Sequence, residues 1–121
     1  MHLDKVTIDQ ITMSSTEIVD FINTFRGATG DDSILRHDHF MVKVPKVLGE
    51  MYAPKFLGTQ NYGNNNTRYI YNLPKREACL MAMSYSYEIQ AAVFDRMTAL
   101  EEALKKPVIP QSFSEALQLA A

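Results

Sequence analysis

Residues 36–51, RHDHFMVKVPKVLGEM, place Phe40, Met41, Val44, Val47, Leu48 and Met51 on one stripe of a 3.6-residue period. A helix with such a face holds only against a core, so the rest of the chain must supply elements that cover it. His39, Lys43, Lys46 and Glu50 recur on the opposite side, which predicts a solvent-facing strip with three potential cations. Pro45 falls inside the stripe. It has no N–H and crowds the carbonyl one turn back, so it predicts either a kink or a helix that begins near Pro45.

The partners for that face come before and after it. Ser14 and Glu17 form a capping box, and Ile18, Phe21, Ile22 and Phe25 follow at helical spacing until Gly27 stops the run. The β-branched residues Val6, Thr7, Ile8, Ile11 and Thr12 predict a short strand before Met13. Residues 27–34, GATGDDSI, read as a flexible connection between the two helices. Cys79 is the single cysteine, so neither an internal disulfide nor a cysteine-framed zinc site staples the fold. With 121 residues and 46% hydrophobic content, the chain has the material for one apolar core instead.

Beyond the amphipathic segment, KFLGTQNYGNNNTRYIYNLP predicts a β-hairpin with its turn within Gly63–Asn66 and a return strand from Thr67 to Leu73. In that strand Tyr69, Tyr71 and Leu73 alternate with Arg68, Ile70 and Asn72. Pro74 suits the first position of a helix through Ala78, Leu80, Met81 and Met83. After an interruption at Ser84–Tyr87, a long helix is expected from about Glu88 to Lys105, with Ile89, Val93, Met97, Leu100 and Leu104 as its apolar seam. Pro107–Pro110 reads as a stiff linker, and Ser112 with Glu115 as the start of a further segment that breaks off. The organisation is therefore one domain over residues 1–106, followed by a tail over 107–121. The fold class is α+β: a helix-turn-helix of winged-helix type, with a β-hairpin wing and a long C-terminal helix.

Charge is unevenly distributed. The whole chain carries a net charge of -2, yet residues 33–76 hold seven bases against two acids, and both flanking stretches are acidic. A basic middle fits one anion-facing surface, and a mixed solvated surface fits it as well. No nucleophile elbow, phosphate loop, dinucleotide fingerprint or zinc-protease helix occurs, so no motif argues for an enzyme or a cofactor. His37, Asp38 and His39 are the compact set of potential metal ligands. Their spacing matches no metal signature, and no metal is expected. Neither a secretory signal nor a membrane span is legible, which points to the cytoplasm.

The order MSSTEI, then RHDH opening an amphipathic segment, then YIYNLPKREACLMAMSYSYEIQAAVFDRMTALE resembles the N-terminal domain of phage Rha-type regulatory proteins, shared with Roi-like and antirepressor proteins. The likeness runs from about Met13 through Glu101. It implies control of the lysogeny–lysis switch of a temperate phage inside its bacterial host, by an oligomer that binds double-stranded DNA. The alternative it implies is direct capture of a phage repressor protein. In the DNA-binding case RHDH starts the second helix of a helix-turn-helix, which makes Arg36, His37 and His39 the first candidates for DNA contacts, with Lys43 and Lys46 following. Arg36 is assigned to specificity and the lysines to affinity, since arginine engages a guanine edge bidentately and lysine supplies diffuse phosphate attraction. Arg68, Lys75 and Arg76 are candidates for phosphate contacts. Two features depart from the family pattern: the connection over 27–34 is longer, and Pro45 stands where related sequences continue a helix.

Overall fold

The structure, a computed structural model, describes residues 11–105. Strand β1 (Thr12–Ser14) leads into helix α1 (Ser15–Ala28) and helix α2 (His37–Leu48). A short 3-10 turn (Ala53–Phe56) is followed by strands β2 (Leu57–Asn61) and β3 (Thr67–Pro74), then helices α3 (Lys75–Met83) and α4 (Tyr87–Lys105). The fold is α+β. The three strands form an antiparallel sheet in the order β1-β3-β2, so the last strand lies in the middle and the first two helices fall in the chain between the two edge strands. Val6, Thr7 and Ile8 of the expected first strand, and the linker and tail at 107–121, lie outside the described residues.

The capping box at α1 is present on both sides: the Glu17 N–H donates to Ser14 Oγ at 3.2 Å, and the Ser14 N–H donates to Glu17 Oε1 at 2.9 Å. Gly27 does not end the helix. It continues through Ala28 and closes at Thr29, whose hydroxyl donates to the carbonyls of Phe25 and Arg26 at 3.1 and 3.2 Å, beside the backbone N–H groups of Thr29 and Asp31 that also reach them. The connection to α2 is pinned where the sequence suggests flexibility. The Asn23 carboxamide accepts from Leu35 N–H at 2.8 Å and donates to Leu35 O at 3.0 Å, acting as a one-residue strand partner. Asp31 meanwhile accepts from both the backbone and the hydroxyl of Ser33.

Helix α2 is continuous through Pro45 and neither breaks nor begins there. Phe40 and Val44, both fully buried, fasten the turn before the proline, and Leu48 packs on the core one turn after it. Core packing on both sides thus outweighs one lost helical hydrogen bond. The stripe is narrower than its periodicity suggests, because Val47 and Met51 are exposed. Met51 falls beyond Gly49, whose φ of 104° ends the helix in backbone territory that favours glycine.

The hairpin follows expectation, with Tyr62 N–H donating to Asn66 O at 3.0 Å across a turn that uses Gly63 and Asn65 at positive φ. Burial along β3 departs from simple alternation. Ile70 and Tyr71 are both buried while Tyr69 is exposed, because a central strand has two faces to fill at its midpoint and projects free of the domain at its outer end. Pro74 caps α3 rather than opening it. That helix buries Glu77, Ala78, Met81 and Ala82 and leaves Leu80 and Met83 exposed, a face displaced from the one the apolar residues suggested. The seam of α4 holds through Ile89, Val93 and Met97, and lapses at exposed Leu104 where the helix outruns the core.

Ser15, fully buried at the first turn of α1, fills a position that β1 would occupy if it were longer. Its Oγ accepts from the Tyr71 N–H of β3 at 3.0 Å. Replacing Ser15 by alanine leaves that buried N–H without a partner, so Ser15→Ala should lower stability by about 1–3 kcal/mol. The check is a urea denaturation midpoint with unchanged slope, and a loss within experimental scatter would contradict the assignment.

Candidate nucleic-acid interface

Ser15 also reaches α2. Its Oγ lies 2.9 Å from His37 Nε2, so one hydroxyl joins α1, the start of α2 and the middle of β3. Having accepted from Tyr71, the hydroxyl keeps its own proton for Nε2, a pairing met by the His37 tautomer protonated at Nδ1. Burial lowers the pKa of His37, and the Arg68 guanidinium lowers it further, while Asp38 and Asp20 pull the other way. The influence of Arg68 places the outer part of β3 and the N-terminus of α2 in one electrostatic neighbourhood. His37 is thus a neutral structural residue in this arrangement, and Arg36 and Arg68 are the cations beside it.

Arg36 stands at the N-cap of α2 and is exposed. Its guanidinium forks onto Asp38, with Nε and the second terminal nitrogen 3.1 and 2.9 Å from the two carboxylate oxygens. An exposed pair of this kind contributes little stability, but it holds the arginine extended at the helix start. Asp38 additionally accepts from the His39 N–H. Further along α2, His39 and Lys46 are exposed on the face away from the core. Val42 lies between them on the same face and is 60% exposed. It was not among the sequence candidates. Its spacing of three from His39 and four from Lys46 is the signal that could have identified it.

Lys43 does not join that strip. Its Nζ donates to Ser84 O at 3.1 Å and sits 3.6 Å from the Tyr85 ring centroid, so it ties α2 to the corner between α3 and α4. Burial lowers its pKa, and nearby Arg26 adds to the effect. Lys75 is similarly engaged: its Nζ contacts Thr98 Oγ1 at 2.8 Å and Glu101 at 2.9 Å, and lies 4.2 Å from the Phe94 ring centroid. Arg76 is exposed but grips buried Glu77 at 2.7 Å. Burial pushes the Glu77 carboxyl up, and the Tyr52 hydroxyl and Arg76 outweigh it, leaving the group below its ordinary value. Tyr52, Arg76 and Glu77 line a cavity of about 390 Å³ with Ile11, Phe56 and Glu101, and neither Arg36 nor Arg68 lines it.

The hairpin tip carries Arg68 over the Tyr62 ring, 4.8 Å from its centroid. This contact orients the guanidinium, and among the described residues no carboxylate pairs with it, unlike Arg36. The eight sequence candidates therefore divide. Arg36, His39, Lys46 and Arg68 are presented to solvent by α2 and the hairpin; His37, Lys43 and Lys75 hold elements together; Arg76 stands with Glu77. Cys79, its thiol pushed up by burial, lines a groove of about 530 Å³ with Leu80, Met83 and Phe94 between α3 and α4. Among the described residues no three His, Cys, Asp or Glu side chains converge as a metal site, and no helix is long and apolar enough to cross a membrane.

Neither protein-family models, curated proteins nor solved structures provide a match to the chain.

The lowered pKa of His37 fixes the sign of a pH effect. A histidine that binds its proton less readily when folded favours the unfolded chain under acid conditions. Its stabilising contribution is whole above about pH 6.5, the unfolded value, and declines as pH falls from there towards the folded value. The difference in unfolding free energy between the native chain and His37→Gln should therefore shrink on acidification through that window. A pH-independent difference in denaturation experiments would contradict the assignment.

Proposed function

We propose that the chain is a winged-helix-like DNA-binding domain, acting in regulation of the lysogeny–lysis switch of a temperate phage. The observation that carries the proposal is the connectivity. Two helices enter between β1 and β2, the hairpin follows the second helix after one 3-10 turn, and its return strand pairs with β1. In a helix-turn-helix arrangement of this kind the second helix is the one that lies in the major groove, its first residues nearest the base edges. Here that helix is α2, and Arg36 stands at its start.

The roles follow from what each side chain has free. Arg36 exchanges Asp38 for a guanine edge, to which it offers the same two-nitrogen fork. Val42 supplies apolar contact of the kind thymine methyl groups accept, and Lys46 adds phosphate attraction from the same face. The hairpin acts as the wing, with Arg68 directed at the backbone. Lys43 and Lys75 take no part, since their ammonium groups are spent inside the domain. The phage setting comes from the resemblance of MSSTEI, RHDH and the 69–101 segment to Rha-type and antirepressor proteins.

Capture of a phage repressor is the second reading, favoured by the exposed aromatic pair Tyr62 and Tyr69 on the hairpin. The two readings separate by salt. Phosphate contacts release counterions and weaken steeply with ionic strength, whereas an aromatic protein interface does not.

Fluorescence anisotropy against duplex DNA from the gene's own upstream region, beside random duplex, tests the proposal. Arg36→Ala should cost about 1–3 kcal/mol on the specific duplex. Lys46→Ala and Arg68→Ala should weaken both duplexes alike, each lowering the salt slope by about one. Lys43→Ala should leave that slope unchanged. A folded chain without salt-sensitive DNA binding would overturn the DNA-reading proposal.

A further inference from the structure

One edge of the sheet is open in an unusual way. One step beyond β2, at the turn, the hydrogen-bonded pair Tyr62–Asn66 continues the register of the strands and sets the alternation of the antiparallel ladder, so the backbone groups of Leu57, Thr59 and Asn61 point away from β3. No strand among the described residues lies on that side. Sheets ordinarily protect such an edge with a charge, a proline, a bulge or sheer brevity. Strand β1, the opposite edge, has only three residues. Strand β2, LGTQN, has five, with no charge and no proline, and its register with β3 is unbroken from Leu57 to Asn61.

The geometry points to β2 as a docking edge for a second copy of this chain, the two strands running antiparallel about a twofold axis at Thr59. That register sets Thr59 opposite Thr59, Gly58 opposite Gln60 and Leu57 opposite Asn61. It places no like charges face to face, because LGTQN carries none. Threonine opposite threonine is among the favourable cross-strand pairs. The same register meets all three outward-facing residues with about six backbone hydrogen bonds.

Side chains agree with this occupant. Directly opposite residues share a face, so Thr59 stands beside Tyr69 of β3, and the two copies together make a row of Tyr69, Thr59, Thr59 and Tyr69 across the joint sheet. Tyr69 is 67% exposed in the single chain and Leu57 is 47% exposed, and both lie on the face that the second sheet extends. An uncharged strand offers nothing to select a charged foreign peptide, whereas twofold self-pairing needs only the residues already present. The result is a six-stranded antiparallel sheet in the order β1-β3-β2-β2-β3-β1. The inference stands on the edge alone and does not depend on DNA binding.

Sedimentation equilibrium of the full chain across a wide concentration range, with Thr59→Lys and Thr59→Asp, tests it. The native chain should dimerise. Each variant alone should raise the dissociation constant at least about tenfold, since like charges then meet at the axis. Mixing the two variants should restore a dimer, a recovery that misfolded variants could not give. Amide exchange at Leu57, Thr59 and Asn61 should be slowed in the dimer and fast in either variant. A native chain that stays monomeric would overturn the inference. So would an oligomer indifferent to both substitutions but dissociated by Phe94→Lys in the α3–α4 groove.

Discussion

A single buried hydroxyl holds the first two helices and the central strand of this domain in register. Ser15, in the first turn of α1, touches both α2 and the interior of β3 through one atom, accepting from Tyr71 and facing His37. The sheet cannot supply this bond, because β1 ends at Ser14 while β3 runs on to the hairpin. A buried N–H without a partner is costly, so the first residue of α1 substitutes for the missing strand. Serine is small enough to fit where the helix turns away and polar enough to satisfy both neighbours. Through His37 the same contact fixes where α2 begins, and hence where Arg36 stands relative to Arg68.

That junction also explains how the domain allocates its positive charge. A basic middle of the sequence suggests one continuous cationic surface, but the tertiary structure spends part of that charge on itself. Lys43 closes the corner at Tyr85, and Lys75 clamps α3 to α4 through Thr98 and Glu101. Both are half-buried, and a point charge with several donors can meet a carbonyl or a hydroxyl and an aromatic face at once. The arginines serve differently. Arg36 and Arg68 are held by a carboxylate and by an aromatic face, arrangements that orient a planar fork without enclosing it.

Much of the domain was legible because its causes are local. The capping box at Ser14 and Glu17, the hairpin turn around Gly63 and Asn65, and the apolar periods of α1 and α4 each depend on residues within a turn or two of one another. Where reading failed, a distant partner decided. The apolar residues around Pro45 do not say that the core beneath Phe40, Val44 and Leu48 will hold the helix together across it, and nothing near Lys43 says that Tyr85 will take it from the solvent-facing strip. Val42 was passed over for the converse reason. An apolar residue on a helix reads as core until the core is found to lie on the other side.

The sequence by itself determined the kinds of elements and their order, since hydrogen bonding and side-chain period within a short segment are enough to choose helix, strand or turn. It also determined that apolar packing, without a disulfide or cysteine-framed metal site, must hold the chain together. Only the tertiary structure decided which face of α3 is buried, how far the stripe of α2 and the seam of α4 extend, which cations are engaged, and that the last strand would enter the middle of the sheet and leave β2 at its edge. Those outcomes depend on contacts between residues such as Ser15 and Tyr71, or Lys43 and Tyr85, whose separation along the chain carries no information about their meeting in space.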